Sequence, residues 1–82
     1  MIMSTVIELS ACVRAVYRQG QIWISYADGK KVHFPISANR RLRGKSEKKL
    51  SHIEIGHFGI SWPDLDEDLS HAGLRAGHFG QP

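Results

Sequence analysis

The sequence predicts an α+β domain in which a three-stranded antiparallel meander and a second β-hairpin pack with short helices, and three observations carry that prediction. Apolar residues alternate with period two in Val13, Ala15 and Tyr17, again in Ile22, Ile24 and Tyr26, and again in Val32, Phe34 and Ile36, as half-buried strands require. The connections between these runs, Arg18-Gln19-Gly20-Gln21 and Ala27-Asp28-Gly29-Lys30, are short and hold glycine where positive φ is wanted, so both read as hairpin turns. Farther on, Ile53 and Ile55, then Ile60 and Trp62, form a second pair of alternating runs around the turn Gly56 to Gly59.

With 82 residues the chain is long enough for one domain and only marginally long enough for a self-sufficient core. Met1 to Ser10 show no clear alternation, so residues 1–11 read as an extended lead-in whose last part pairs with the sheet. Leu9-Ser10-Ala11-Cys12 has the look of a lipoprotein cleavage box. No basic residue precedes it, however, and Glu8 interrupts a very short apolar region, so a processed leader is not expected. No segment is apolar over the length needed to span a membrane. Cys12 is the single cysteine, which rules out an internal disulfide and points to a reducing cytoplasm and a buried thiol.

On the outer face of the meander, Arg14, Val16, Trp23, Ser25, Lys31 and His33 form a mixed set. Trp23 is either covered by the lead-in or exposed as an anchor for a partner, since aromatics are enriched among binding hot spots. Pro35 suits a strand end or edge. Ser37 to Ser51 reads as helical pieces, with Ser37 and Ser46 as N-caps, turns reaching Leu42 and Leu50, and Gly44 between them. Arg40, Arg41, Arg43, Lys45, Lys48 and Lys49 put six of the eleven bases in this link.

Pro63 ends the strand of Trp62, having no N–H for a ladder. Asp64, Asp66, Glu67 and Asp68 then hold half of the eight acids. They read as an acidic knuckle that either caps a terminal helix, whose dipole favours negative charge, or meets a partner. Ser70 is the N-cap of that helix, Gly77 its stop, and residues 78–82 a flexible tail.

Chemistry-bearing motifs are sparse. Asp64-x-Asp66-x-Asp68 opens like a calcium loop, but Leu69 stands where the loop needs glycine and Arg75 where it needs a bidentate glutamate. The five histidines, at 33, 52, 57, 71 and 78, never take the spacing that sets two metal ligands on one helix face. Cys12 lies in no nucleophile motif and no phosphate-cradling glycine loop is present. The expectation is therefore a protein without enzymatic activity, cofactor or metal.

Asp28-Gly29-Lys30, Gly56, Gly59-Ile60-Ser61-Trp62-Pro63-Asp64-Leu65-Asp66-Glu67-Asp68-Leu69-Ser70, Gly73-Leu74 and Gly77 together resemble the domain-of-unknown-function 2442 family of small bacterial proteins. The resemblance runs from about Cys12 to Gly77; the basic link departs from it, since family members carry more apolar residues there. It implies the fold just described and an antitoxin-like role, because members are often encoded beside a small partner in pairs resembling toxin–antitoxin modules. It brings no catalytic residues.

The expected function is thus a binding protein that occludes a small, toxin-like protein partner through its sheet edge or acidic knuckle, with Trp23, Asp64, Asp66 and Glu67 as contact candidates. An open sheet edge also leads us to expect a homodimer. The alternative is nucleic-acid binding by residues 40–49, whose bases would neutralise phosphates; the net charge of +3 permits this without demanding it. Against that stands a plain solvated link, or one paired with the acids at 64 to 68.

Overall fold

A computed structural model describes residues 11–82, and the lead-in lies outside them apart from Ala11. Two three-stranded antiparallel sheets face a shared core. The first is the expected meander of β1 (Cys12–Arg18), β2 (Gln21–Tyr26) and β3 (Lys31–Pro35). Its first turn is tight because Gln19 and Gly20 both adopt positive φ, 51° and 81°, which matches the twist of the flanking strands. The second is closed by the Asp28 carboxylate, which accepts from the Lys30 N–H at 3.0 Å, a local bond that aspartate is suited to make. Pro35 ends an edge strand, where its missing N–H costs no ladder bond.

One residue of the expected alternation shifts. A bulge between Cys12 and Arg14 sets Cys12 opposite Tyr26, on the face shared by the Ala15–Ile24 and Tyr17–Ile22 pairs. Cys12, Ala15 and Tyr17 therefore line the core edge. The bulge supplies the extra residue that changes the phase of the alternation.

A 3-10 turn (Ile36–Ala38) follows, without a side-chain cap. Ser37, expected to cap a helical turn, does not do so; the neighbouring Asn39 organises this link instead, by bonds described below. Gly44 separates the two turns with φ 74°. Ser46 caps α1 (Glu47–Ser51), its hydroxyl accepting from the Lys49 N–H at 3.3 Å.

The second sheet holds β4 (Glu54–Ile55), β5 (Gly59–Trp62) and β6 (Glu67–Ser70) in that order. The hairpin of β4 and β5 was expected; β6 was not. Instead of capping the terminal helix, the acids form a turn, closed by Leu65 N–H to Trp62 C=O at 3.0 Å, and then a strand. The terminal helix α2 (His71–Arg75) has no acid in its first turn and is capped by Ser70, whose hydroxyl accepts from Gly73 N–H at 2.9 Å. The strand escaped detection because Glu-Asp-Leu-Ser offers one apolar residue to an inward face that needs two. Glu67 fills the other place because a buried amide satisfies its carboxylate. Gly59 allows β6 to come close: a Cβ there would overlap the Leu69 carbonyl.

The core combines Ile22, Ile24, Tyr26, Val32 and Phe34 from the meander with Ile60, Trp62 and Leu69 from the second sheet, Leu42 and Leu50 from the link, and Leu74 from α2. Trp62 is 0% exposed and donates its indole N–H to the Leu50 carbonyl at 3.0 Å, so it anchors the core with its polar handle satisfied. Residues 78–82, read from the sequence as a flexible tail, are tied down: Phe79 stacks on Phe34 at 4.7 Å, and the Gln81 carbonyl accepts from Arg40 N–H at 2.6 Å. Burial of an aromatic ring offsets the ordering cost that a polar tail could not.

Candidate functional site

The acids and the basic link, distant in sequence, line one groove of about 570 Å³. The turn after Trp62 and the turn after Asn39 stand side by side, placing Arg40, Arg41, Lys45 and Lys49 against Asp64, Asp66 and Glu67. Asp64 meets His52 at 2.9 Å, and Asp66, in a left-handed conformation with φ 52°, reaches Arg41 at 3.8 Å. Both Arg41 and Asp66 are exposed, so that pair contributes little to stability. Asp68 points away on the outer face of β6, so the three aspartates do not converge as a calcium loop would need. Arg43 and Lys48 are exposed and do not line the groove.

Glu67 is held from within. Its carboxylate accepts from the amide of Asn39 at 2.7 Å, and Asn39 is 0% exposed. The same amide donates to the Phe79 carbonyl at 2.8 Å, while its oxygen accepts from the N–H groups of Arg41 and Leu42 at 2.9 and 3.2 Å. All of the hydrogen-bonding capacity of Asn39 is thereby used, joining the link, β6 and the tail at one point. Sequence reading placed Glu67 on a partner surface and overlooked Asn39, which carries no motif.

A second groove, of about 500 Å³, runs along the β4–β5 hairpin and β6. Phe58, at the hairpin tip, is 83% exposed and Ile55 45%. These are the exposed large apolar side chains among the described residues. The hairpin is tethered at its turn, where His71 accepts from or donates to the Tyr26 hydroxyl through Nδ1 at 3.0 Å and donates from Nε2 to the Gly56 carbonyl at 2.9 Å. The carbonyl can only accept, which assigns the Nε2 proton. Phe58 was legible in principle, as a large apolar residue inside a Gly-His-Phe-Gly turn.

The third surface is the outer face of the meander, where Trp23 is half-buried. Its indole donates to the Arg18 carbonyl at 3.3 Å; His33, from β3, stacks on the ring at 4.7 Å, and the Arg18 guanidinium, from β1, lies 5.1 Å from the ring centroid. The structure thus brings Trp23 together with cations, and not with Asp64, Asp66 or Glu67.

Elsewhere the titratable groups serve the fold. Arg75, whose guanidinium bonds both carboxylate oxygens of Asp28, holds that carboxyl below the usual carboxylate range, helped by the Lys30 N–H. Asp28 in turn raises the pKa of Arg75. Arg75 also lies over the Tyr26 ring at 4.8 Å, so α2 is clamped to the meander. Burial pushes the Tyr26 hydroxyl up. Burial likewise raises the Cys12 thiol, against a smaller opposing effect of the Arg14 backbone, and so keeps it in the less reactive protonated form at neutral pH.

Two packed antiparallel sheets with short capped helices and exposed apolar and cationic surfaces define a small α+β domain. Residues 12–80 match the family described as protein of unknown function (DUF2442), and the chain belongs to that family. A protein of unknown function from Rhodospirillum rubrum, known from a crystal structure, is similar at 32% identity and a TM-score of 0.75, over 87% of this chain and 90% of that one. An uncharacterised protein from Chromobacterium violaceum, solved by NMR, is similar at 26% identity and a TM-score of 0.70, over 92% of this chain and 77% of that one. No curated protein matches. Among the described residues, no helix is long and apolar enough to cross a membrane.

Proposed function

We propose that the protein is a non-enzymatic, antitoxin-like binding protein of the cytoplasm that occludes a small protein partner through the β4–β5 hairpin. The observation that carries this reading is the exposure of Phe58 and Ile55 together, beside a groove of about 500 Å³, in a chain that otherwise buries or half-buries its large apolar side chains among the described residues. Buried aromatic anchors dominate binding energy at interfaces, and Phe58 offers a full ring to a complementary pocket. The acids proposed from the sequence as contacts have less support: Asp64, Asp66 and Glu67 already face His52, Arg41 and Asn39. The alternative, nucleic-acid binding by residues 40–49, is weakened by the same geometry, since acids line the groove that Arg40, Arg41, Lys45 and Lys49 share.

The test is co-expression with the small protein encoded in the adjacent reading frame. Phe58→Ala should weaken the complex about 10- to 100-fold, the effect of losing a hot-spot side chain worth roughly 1–3 kcal/mol, with the melting temperature unchanged. Equal affinity of parent and variant would refute the hairpin as the contact. Concentration-dependent sedimentation as a dimer, abolished by Phe58→Asp, would reassign the hairpin to a second copy of the chain.

A further inference from the structure

The outer face of the meander carries a pattern that the hairpin reading does not use. In register across β1, β2 and β3, its rows are Arg14, Ser25 and Lys31, then Val16, Trp23 and His33, then Arg18, Gln21 and Pro35. Three cations surround a central indole, and among the described residues no acid lies on the face. Strand geometry sets the scale: Arg14 and Lys31 stand two strand spacings apart, about 10 Å, and Arg14 and Arg18 about 13 Å apart along β1. A groove of about 350 Å³ runs between them, lined by Arg14, Val16, Arg18, Trp23, Ser25 and Lys31.

The electrostatics differ from those of the other cationic surface. In the groove of residues 40–49 the bases meet acids, whereas Arg14, Arg18 and Lys31 have no carboxylate partner among the ion pairs of the described residues. An anionic polymer is the complementary occupant. The aromatic arrangement narrows the choice. The His33 and Trp23 rings are stacked at 21°, and His33 is exposed, so the stack ends in an imidazole face on which a further planar ring can lie. The Nδ1 of His33 is bonded to the Gln21 side-chain oxygen at 2.9 Å, which orients the ring. Exposed aromatics on a sheet, ringed by Lys and Arg, bind single strands by stacking bases and neutralising phosphates. The major groove of a duplex admits a helix or a two-stranded ribbon, and a three-stranded sheet presented by its face is neither. Ser25 and the Gln21 amide add neutral hydrogen-bonding groups between the cations, suited to a ribose 2′-hydroxyl.

From this arrangement we infer that the outer face of the meander binds single-stranded RNA, with bases stacking on the His33–Trp23 pair and Arg14, Arg18 and Lys31 holding phosphates. This surface is separate from the hairpin, so it stands or falls independently of the function proposed above.

The probe is a fluorescein-labelled oligouridylate of about ten nucleotides, within the site size of single-strand binders, titrated with the full chain by anisotropy. Micromolar binding is expected, with log Kd against log salt giving a slope of about 2, from three phosphates at about 0.7 each. Arg14→Ala and Lys31→Ala should each flatten the slope by about 0.7 and leave the melt unchanged. Binding should quench tryptophan emission in the parent and not in Trp23→Phe, since Trp62 is buried. His33→Ala should weaken binding without altering the slope. The inference is overturned if the oligouridylate does not bind, if binding ignores these substitutions or is lost instead with Arg40→Ala, if duplex RNA binds as tightly, or if a polyglutamate peptide of matched charge competes equally and so marks the face as a dock for an acidic protein. Phe58→Ala should leave RNA binding intact, which keeps this result separable from the hairpin test.

Discussion

Replacing Asn39 by leucine tests the packing argument at its most exacting point, because the two side chains are close in size and differ in polarity. The substitution removes two donors and one shared acceptor from a fully buried site: the bonds to the Glu67 carboxylate at 2.7 Å and the Phe79 carbonyl at 2.8 Å, and those from Arg41 and Leu42 N–H. Three are neutral bonds, worth about 1 kcal/mol each, and the one to a carboxylate is worth about 2 kcal/mol. The loss is smaller than their total, since Leu42 N–H also reaches the Asn39 backbone carbonyl at 3.2 Å and Glu67 is only half-buried. A net destabilisation of about 3–4 kcal/mol follows, against a total stability of roughly 4–12 kcal/mol for a chain of this length. In a thermal melt followed by circular dichroism the midpoint should fall by about 15–25 °C. Adding Glu67→Leu to Asn39→Leu should restore part of the loss, because the unpaired carboxylate is then gone. Asn39→Asp should be worse than leucine at neutral pH, where two carboxylates face each other, and should recover as acid protonates one of them. If Asn39→Leu melted within about 1 kcal/mol of the parent, or Glu67→Leu brought no recovery, the network would not be holding the link, β6 and the tail together.

Trp62→Ala should cost about 3–5 kcal/mol, as for other large buried aromatics, and an unchanged cooperative melt would show that Trp62 is no anchor. Gly59→Ala should destabilise by roughly 1–3 kcal/mol, the usual cost of overpacking, because the new methyl group meets the Leu69 backbone; hydrogen exchange should show the loss concentrated in β5 and β6. The Asp28–Arg75 clamp adds a pH dependence with a defined sign. Arg75 lowers the Asp28 pKa in the folded state, so the stabilisation is complete above the ordinary carboxylate pKa of about 4 and is lost as pH falls through the lower folded value. The midpoint gap between parent and Asp28→Asn should therefore be constant from neutral pH down to about 5 and close below about 4; a gap that widened in acid would reverse the assignment.

The meander was legible because each of its strands repeats an apolar residue every second position and each turn has the residue its backbone needs: Gly20 and Gly29 at positive φ, and Asp28 bonding two residues ahead. Trp62 and Ser46 were legible for equally local reasons, a proline that ends a strand and a hydroxyl before a helical turn. The bulge at the start of β1 and the strand β6 were not. Each depends on a partner distant in sequence: the bulge on Tyr26 across the ladder, and β6 on Asn39, which satisfies a glutamate in an inward position. Docking of the tail was hidden for the same reason, since Phe79 needs Phe34 beneath it.

Local information in the chain was enough for the fold class, most strands, the capped helices and the list of charged and aromatic residues from which any surface must be built. Which of those residues are neighbours required the folded chain. The acids at 64 to 67 and the bases at 40 to 49 were visible as two runs, but that they share one groove, leaving Arg14, Arg18 and Lys31 around Trp23 with no acid among the described residues, follows from how the second sheet closes over the core. Period and propensity act over a few residues, whereas electrostatic neutralisation and satisfaction of buried polar groups act through space, and no pattern along the chain encodes those distances.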